Sequence, residues 1–256
     1  MSFFATVRRI ILLFMKNTAI IIPARLDAKR FPNKPLAKIK NIPMIIHCIR
    51  RAEESKVGEV YVATPDMKIF EIVNANGGKA ILTKKNHLSG SDRVYEAWLN
   101  QFKENVDLII NLQGDMPNIK PKEISKLEKL MRYNKCDIGT LASNLKDDEF
   151  LNPNVVKVCT DKNIKGGDFL DAKDFFRIKK DSNDKKIYHH CGIYIFTKKA
   201  LFKYTKLPRS KLEIERNLEQ MRALENNLVI KVGFCDSAPL GIDTEDDLLK
   251  VTKEMC

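Results

Sequence analysis

Apolar residues fall along the chain in two textures, short β-branched runs and longer stretches in which they recur with helical spacing. The runs at residues 19–22, 60–63, 80–83 and 107–112 predict buried strands, because their apolar side chains are consecutive rather than alternating. Between them, residues 44–54 predict an amphipathic helix with Ile45, Ile46, Ile49 and Ala52 facing inward. Residues 68–75 predict a second helix, closed by Gly77 and Gly78, and residues 92–102 a third. Such alternation implies an α/β fold, a Rossmann-like mixed and mainly parallel sheet flanked by helices. From residue 152 the texture changes. Residues 155–160 and 188–196 read as strands on either side of a polar, charge-dense stretch at 162–186. Residues 212–225 then predict one helix, 229–234 a strand, and 244–253 a closing helix with Thr244 as its N-cap. No linker composition isolates the middle part, so it reads as an insertion forming a lid or a dimer surface within one domain spanning residues 17–256.

Composition narrows the class. The 256 residues suit one α/β domain with a substantial core, and 44% hydrophobic content argues against disorder. A formal net charge of +12 invites nucleic acid as a partner. The lysines are scattered, however, and no DNA or RNA motif interleaves them with aromatics, so a polyanionic small substrate accounts better for the charge. Six cysteines without a C-x-x-C pair or metal-finger spacing read as reduced core thiols, as in the cytoplasm. The first residues, 1–16, combine two arginines with a short apolar block and are read as an N-terminal extension or a misplaced start. A weak membrane-surface helix is the alternative for that segment, and no run is long enough to span a bilayer.

Where the first strand stops, at Pro23 and Ala24, a basic loop begins that carries Arg25, Lys29, Arg30 and Lys34. A βα turn of an open α/β sheet is where such folds bind ligands. Guanidinium groups contact phosphates bidentately and an ammonium adds a mobile point charge, so the loop suits a polyphosphate. Solvated loop charge is the bland alternative. No Walker loop and no G-x-G-x-x-G occurs, so side chains rather than a glycine nest would hold the phosphates.

The stretch IIPARLDAKRFPNKPL (21–36) resembles the x-P-A-R-x-x-S/T-x-R-x-P-x-K-P-L signature of sugar-activating cytidylyltransferases, specifically the 3-deoxy-manno-octulosonate (Kdo) cytidylyltransferase, or CMP-Kdo synthetase, family. Further segments agree in order: VATPD (62–66), SGSDRVYEA (89–97), NLQGDMP (111–117), NPNVVKV (152–158), HCGIY (190–194), LEQMRALE (218–225) and GIDTEDDL (241–248). The resemblance implies a nucleotide-diphospho-sugar transferase type of fold, with about 152–215 as a sugar-binding and dimerisation subregion. It also implies the reaction of CTP with Kdo to give CMP-Kdo and pyrophosphate for lipopolysaccharide synthesis, with Mg²⁺ as cofactor, in a cytoplasmic homodimer.

Residue by residue, the resemblance assigns Arg25, Arg30, Lys34, Asp115 and Asp243 to catalysis, the two aspartates as ligands of Mg²⁺. Taken alone, each aspartate is equally a turn former or helix cap. CTP would be held by Pro23, Ala24, Arg25, Arg30, Lys34, Ala63, Thr64, Ser89, Gly90, Arg93 and Gln113. Ser89 and Asp92 also have the form of an N-capping pair. The sugar acid would meet Gln113, His190, Glu213 and Gln220, although a lone histidine among apolar neighbours is otherwise structural. Two departures bear on the sugar. A glutamate of the family's helix is replaced by Arg216, and the family's Y-F-S-R segment by GGDFLDAKDFFRIKK (166–180), with Arg177 as a candidate substitute for its arginine. These keep open a sibling enzyme for 8-amino-Kdo or a nonulosonate, and more remotely a non-catalytic nucleotide-binding protein.

Overall fold

A run of isoleucines between polar flanks has one low-energy destination, the middle of a sheet covered on both faces. In the computed structural model, which describes residues 17–27, 30–102, 105–178 and 186–255, that is where β1 (Thr18–Pro23) lies. Ile20, Ile21 and Ile22 have no exposed surface, and each such burial contributes about 1.5–3 kcal/mol relative to an exposed side chain. The following strands are the hairpin β2 and β3 (Lys38–Ile39 and Ile42–Pro43), β4 (Glu59–Thr64), β5 (Ala80–Leu82), β6 (Leu108–Leu112), β7 (Ile138–Asn144) and β8 (Lys157–Thr160). After them come β9 (Phe169–Asp171), β10 (Asp174–Phe176), β11 (Lys186–Thr197) and β12 (Ile230–Phe234).

The main sheet runs β5-β4-β1-β6-β11-β7-β12-β9, with β8 on β11 and β10 on β8. Strands β5, β4, β1 and β6 are mutually parallel, as are β7 and β12, while β11 lies antiparallel to both β6 and β7. After β1 the chain builds outward through β4 and β5, then returns to lay β6 on the other side of β1. The gap between the ends of β1 and β6 is therefore a topological switch point, where open α/β sheets bind ligands.

Side chains alternate across the sheet, so β1 sends Ile20 and Ile22 to one face and Ala19 and Ile21 to the other. The first face is covered by the helices Met44–Glu54, Met67–Ala75 and Pro121–Tyr133, and the second by Gly90–Gln101 and Lys198–Lys206. The expected fold class thus holds.

One expectation needs correction. Residues 212–225 are not one helix: Lys211–Arg216 ends at Asn217, left-handed at φ 51°, and Met221–Glu225 starts afresh. Asparagine tolerates that conformation, and the break turns the chain so that Leu218 and Met221 reach the core. The charge-dense stretch at 162–186 contributes β9 and β10. The N-terminal segment 1–16, Lys29 of the basic loop and residues 179–185 lie outside the described residues. Among the described residues, no helix is long and apolar enough to cross a membrane.

Four cysteines, Cys48, Cys159, Cys191 and Cys235, are buried, in keeping with their reading as core residues.

Candidate active site

The basic loop is shaped by its own backbone before any ligand is considered. Asn33 takes a left-handed conformation at φ 57° and turns the chain into the short 3₁₀ helix Lys34–Leu36, while its N–H donates to the carbonyl of Leu26. From the other side, the N–H of Leu26 donates to Asp66, just beyond β4. Behind the loop, Ile39, Met44, Ile242 and Val251 form a satellite core that joins it to the closing helix Glu245–Glu254.

That helix opens with a capping box between Thr244 and Asp247, and Thr244 is its N-cap as expected. Asp247 also accepts the N–H of Asp243, and the N–H of Ile242 donates to the backbone carbonyl of Asp115. Two carboxylates 128 positions apart in sequence are thereby fixed beside each other. Lys34 lies between them, its ammonium 2.8 Å from Asp115 and 3.3 Å from Asp243, and Arg30 reaches Asp243 at 3.0 Å. Burial pulls the Lys34 pKa down, but Asp115 and then Asp243 more than offset this, leaving it above the ordinary lysine value. The ammonium stays charged through the physiological range.

Asp115 follows β6 through Gln113 and Gly114. A β-carbon at Gly114 would sit 3.1 Å from the carbonyl of Pro23, so glycine permits the ends of β1 and β6 to approach this closely. Between them opens a cavity of about 440 Å³. One wall is Pro23, Ala24, Arg25, Lys34, Gln113, Gly114 and Asp115; a second is residues 87–90 and Arg93; a third is Arg209, Glu213, Asn217, Leu218 and Glu219. The first two walls contain most of the residues expected to hold a nucleotide.

Within the second wall, Ser89 caps the helix Gly90–Gln101 by accepting the N–H of Asp92, so it is both a cap and a lining residue. Arg93 is buried, and its guanidinium donates to the Thr83 hydroxyl and to the carbonyls of Lys84 and Lys85. It pins the 83–85 strand exit to the helix. Ala63 and Thr64 are fully buried behind the cavity: the Ala63 carbonyl accepts the N–H of Ala24, and the Thr64 hydroxyl accepts the N–H of Asp66.

On the sugar side, Glu213 lines the cavity, while Gln220 lines a narrow extension shared with Gln113, Asn111 and Tyr194. His190 stands one layer behind, its Nε2 at 2.9 Å from the Thr140 hydroxyl and its ring between Phe175 and Tyr194. Burial and then the neighbouring His189 push its pKa down to about 3, so it is neutral in the folded protein. The unfolded histidine binds a proton below about pH 6.5 and the folded one does not, so acid favours unfolding. Between pH 6.5 and about 3, stability is expected to fall by up to about 1.4 kcal/mol per pH unit from this group, and His190→Gln is expected to flatten that slope in urea titrations. An unchanged slope would contradict the neutral assignment.

Arg177 donates to the carbonyls of Pro153 and Asn154, and the buried ammonium of Lys157 holds the carbonyls of Asn152 and Arg177. Burial lowers the Arg177 pKa; Arg30 adds to that effect and Asp243 opposes it.

Sequence reasoning missed Arg209, Glu219 and the buried Arg222. Arg222 makes a two-pronged contact with Glu213 at 2.7 and 2.8 Å, lies over the Tyr204 ring, and approaches Asp92 at 3.9 Å. The cue was present in LEQMRALE, where a single arginine sits in an otherwise apolar helical turn.

Among the described residues, no three His, Cys, Asp or Glu side chains form a metal cage. Asp115 and Asp243 are instead a pair of hard oxygen donors converging on one cation, the Lys34 ammonium. That donor set suits Mg²⁺, which takes few carboxylates and leaves positions for phosphate oxygens.

Parallel strands whose ends present a cationic loop and two carboxylates around an open cavity define a nucleotidyltransferase of the α/β class. The cytidylyltransferase family pattern matches residues 19–231. The chain belongs to the 3-deoxy-manno-octulosonate cytidylyltransferase family. It is 42% identical over 234 residues to the 3-deoxy-manno-octulosonate cytidylyltransferase of Rhodopseudomonas palustris (strain BisB18), covering 91% of this chain and 95% of that one. To the protein of the same name from Thermodesulfovibrio yellowstonii it is 45% identical over 244 residues, covering 90% and 95%. The solved structure of CMP:2-keto-3-deoxy-manno-octonic acid synthetase complexed with CTP superposes with a TM-score of 0.84 at 35% identity, covering 93% of this chain and 98% of that one.

Proposed function

We propose that the protein transfers the cytidylyl group of CTP to the anomeric hydroxyl of Kdo, yielding CMP-Kdo and pyrophosphate. The observation that carries this reading is the cluster of Lys34, Asp115 and Asp243 at the switch point between β1 and β6, opening onto a cavity walled by Arg25 and Gln113. Its chemistry is that of phosphoryl-oxygen binding rather than of a covalent nucleophile.

The sugar hydroxyl oxygen attacks the α-phosphorus, its proton passes to solvent, and the bond to the β,γ-pyrophosphate breaks. Charge builds on the phosphate oxygens as this happens, and fixed cations stabilise it without reorganising. Arg25 lines the cavity and is exposed to it; Arg30 and Lys34 are held in place by Asp243 and Asp115. Asp115 and Asp243 are the residues that would hold Mg²⁺, which when bound neutralises phosphate charge and polarises the attacked centre. Gly90 and Ser89 bring the N-terminus of a helix to the cavity, a site of positive potential. Gln113 and Gln220 orient the sugar acid, and His190 supports Tyr194 from behind.

The test is pyrophosphate release with Mg²⁺ and CTP, Kdo, 8-amino-Kdo and N-acetylneuraminate being supplied separately. Release with Kdo is expected. Release with only another acid would keep the reaction and move the substrate, and release with none would contradict the enzyme reading. We extend the proposal, on the family resemblance, to a cytoplasmic homodimer, for which light scattering is expected to give twice the chain mass; a monomer mass would overturn it.

A further inference from the structure

The proposed substrate is an acid, so a site for it needs a cation besides those engaged with phosphate. Among the described residues, the cavity offers four guanidinium or ammonium groups: Arg25, Lys34, Arg93 and Arg209. Lys34 is neutralised by Asp115 and Asp243. Arg93 is only 3% exposed and spends its terminal nitrogens on Thr83, Lys84 and Lys85. Arg25 stands at the end of β1 on the phosphate wall.

Arg209 alone belongs to the third wall, beside Glu213. Its Nε donates to Glu213 at 3.0 Å, and its side chain is 44% exposed. Among the described residues its two terminal nitrogens have no protein partner. Glu213, by contrast, is used up. Its oxygens accept from Arg222 twice, from Arg209 and from the N–H of Ser210, and it is 3% exposed. One carboxylate clamped by a buried arginine therefore anchors a second, exposed arginine at the cavity wall through its Nε and leaves the two terminal nitrogens of that guanidinium unpaired. A fixed, half-desolvated guanidinium edge with two free donors matches the geometry of a carboxylate.

We infer that Arg209 recognises the carboxylate of the sugar acid, and that Glu213 acts on the substrate through Arg209 as a positioning residue. The inference rests on the proposed reaction and adds a specificity determinant to it. Arg209 sets the preference for an acidic sugar over its neutral counterpart, while the nucleotide is bound elsewhere.

The test compares the unmodified protein with Arg209→Gln and Arg209→Lys, measuring pyrophosphate release against Kdo and against its C1 amide. In Arg209→Gln the KM for Kdo is expected to rise ~10- to 100-fold, as for loss of a charge-assisted pair, with the KM for CTP unchanged. The same variant is expected to lose its preference for the acid over the amide, and Arg209→Lys to recover part of it. An unchanged KM for Kdo, or an equal rise in the KM for CTP, would overturn the inference while leaving the reaction standing. Failure of the unmodified protein to use any acidic sugar would overturn the reaction itself and the inference with it. Circular dichroism melts of the variants, expected to match the parent, separate these outcomes from misfolding.

Discussion

Asp115→Asn lowers turnover at saturating CTP and sugar acid by at least ~100-fold, the scale of losing one fixed electrostatic stabiliser. The substitution is nearly isosteric, so what changes is charge. Asparagine at that position leaves Lys34 with Asp243 alone at 3.3 Å and removes one of the two oxygen donors proposed for Mg²⁺. Backbone geometry is expected to persist, because the carbonyl of Asp115, not its side chain, receives the N–H of Ile242. The pair with Lys34 is partly exposed and contributes modestly to stability, so the melting temperature stays within a few degrees of the parent. Steady-state kinetics beside a thermal melt read both quantities. Near-normal turnover would remove Asp115 from the chemistry.

The second large effect is on stability. Arg222→Met leaves Glu213 buried with only Arg209 and Ser210 as partners, and breaking a buried ion pair from one side costs about 3–5 kcal/mol. Against a total of roughly 5–15 kcal/mol, that is a drop in melting temperature on the order of 10 °C for a domain of this size. The double variant Arg222→Met with Glu213→Gln recovers part of the loss, because the orphaned charge is gone. The pH dependence has a definite sign. Burial raises the Glu213 pKa, but its bonds to Arg222 and Arg209 more than offset that, and the net value lies below the usual 4.5. Its contribution is therefore present above about pH 4.5 and fades as acid protonates the folded carboxylate, so the parent and Arg222→Met converge in stability at low pH. Denaturant titrations at neutral and acid pH test this; a constant gap would contradict it.

How much of this was legible beforehand follows from where the information sits. Strands β1, β4 and β6 announce themselves because their burial on both faces demands unbroken apolar runs, and Gly114–Asp115 marks a strand end at the sheet edge. The basic loop and Asp243 were readable from residue order together with the resemblance. The third wall was not. Its helix is broken at Asn217 by a left-handed residue that sequence spacing reads as one more helical position, and the break is what brings Arg222 against Glu213. Strands β9 and β10, three residues each, are held by their neighbours β12 and β8 rather than by local pattern. The Pro121–Tyr133 helix and β7 have a regular pattern, with proline in the first turn of the helix. His190 illustrates the opposite case: its motif points to the sugar, while the fold encloses its ring between Phe175 and Tyr194.

The most direct test of the central claim is the mass of the nucleotide product formed from CTP, Kdo and Mg²⁺ by the purified protein, measured together with pyrophosphate. The expected result is CMP joined to Kdo, with one pyrophosphate released per molecule formed. Unchanged CTP, or CMP or CDP appearing without a sugar adduct, would contradict the assignment of the cavity between β1 and β6 to cytidylyl transfer.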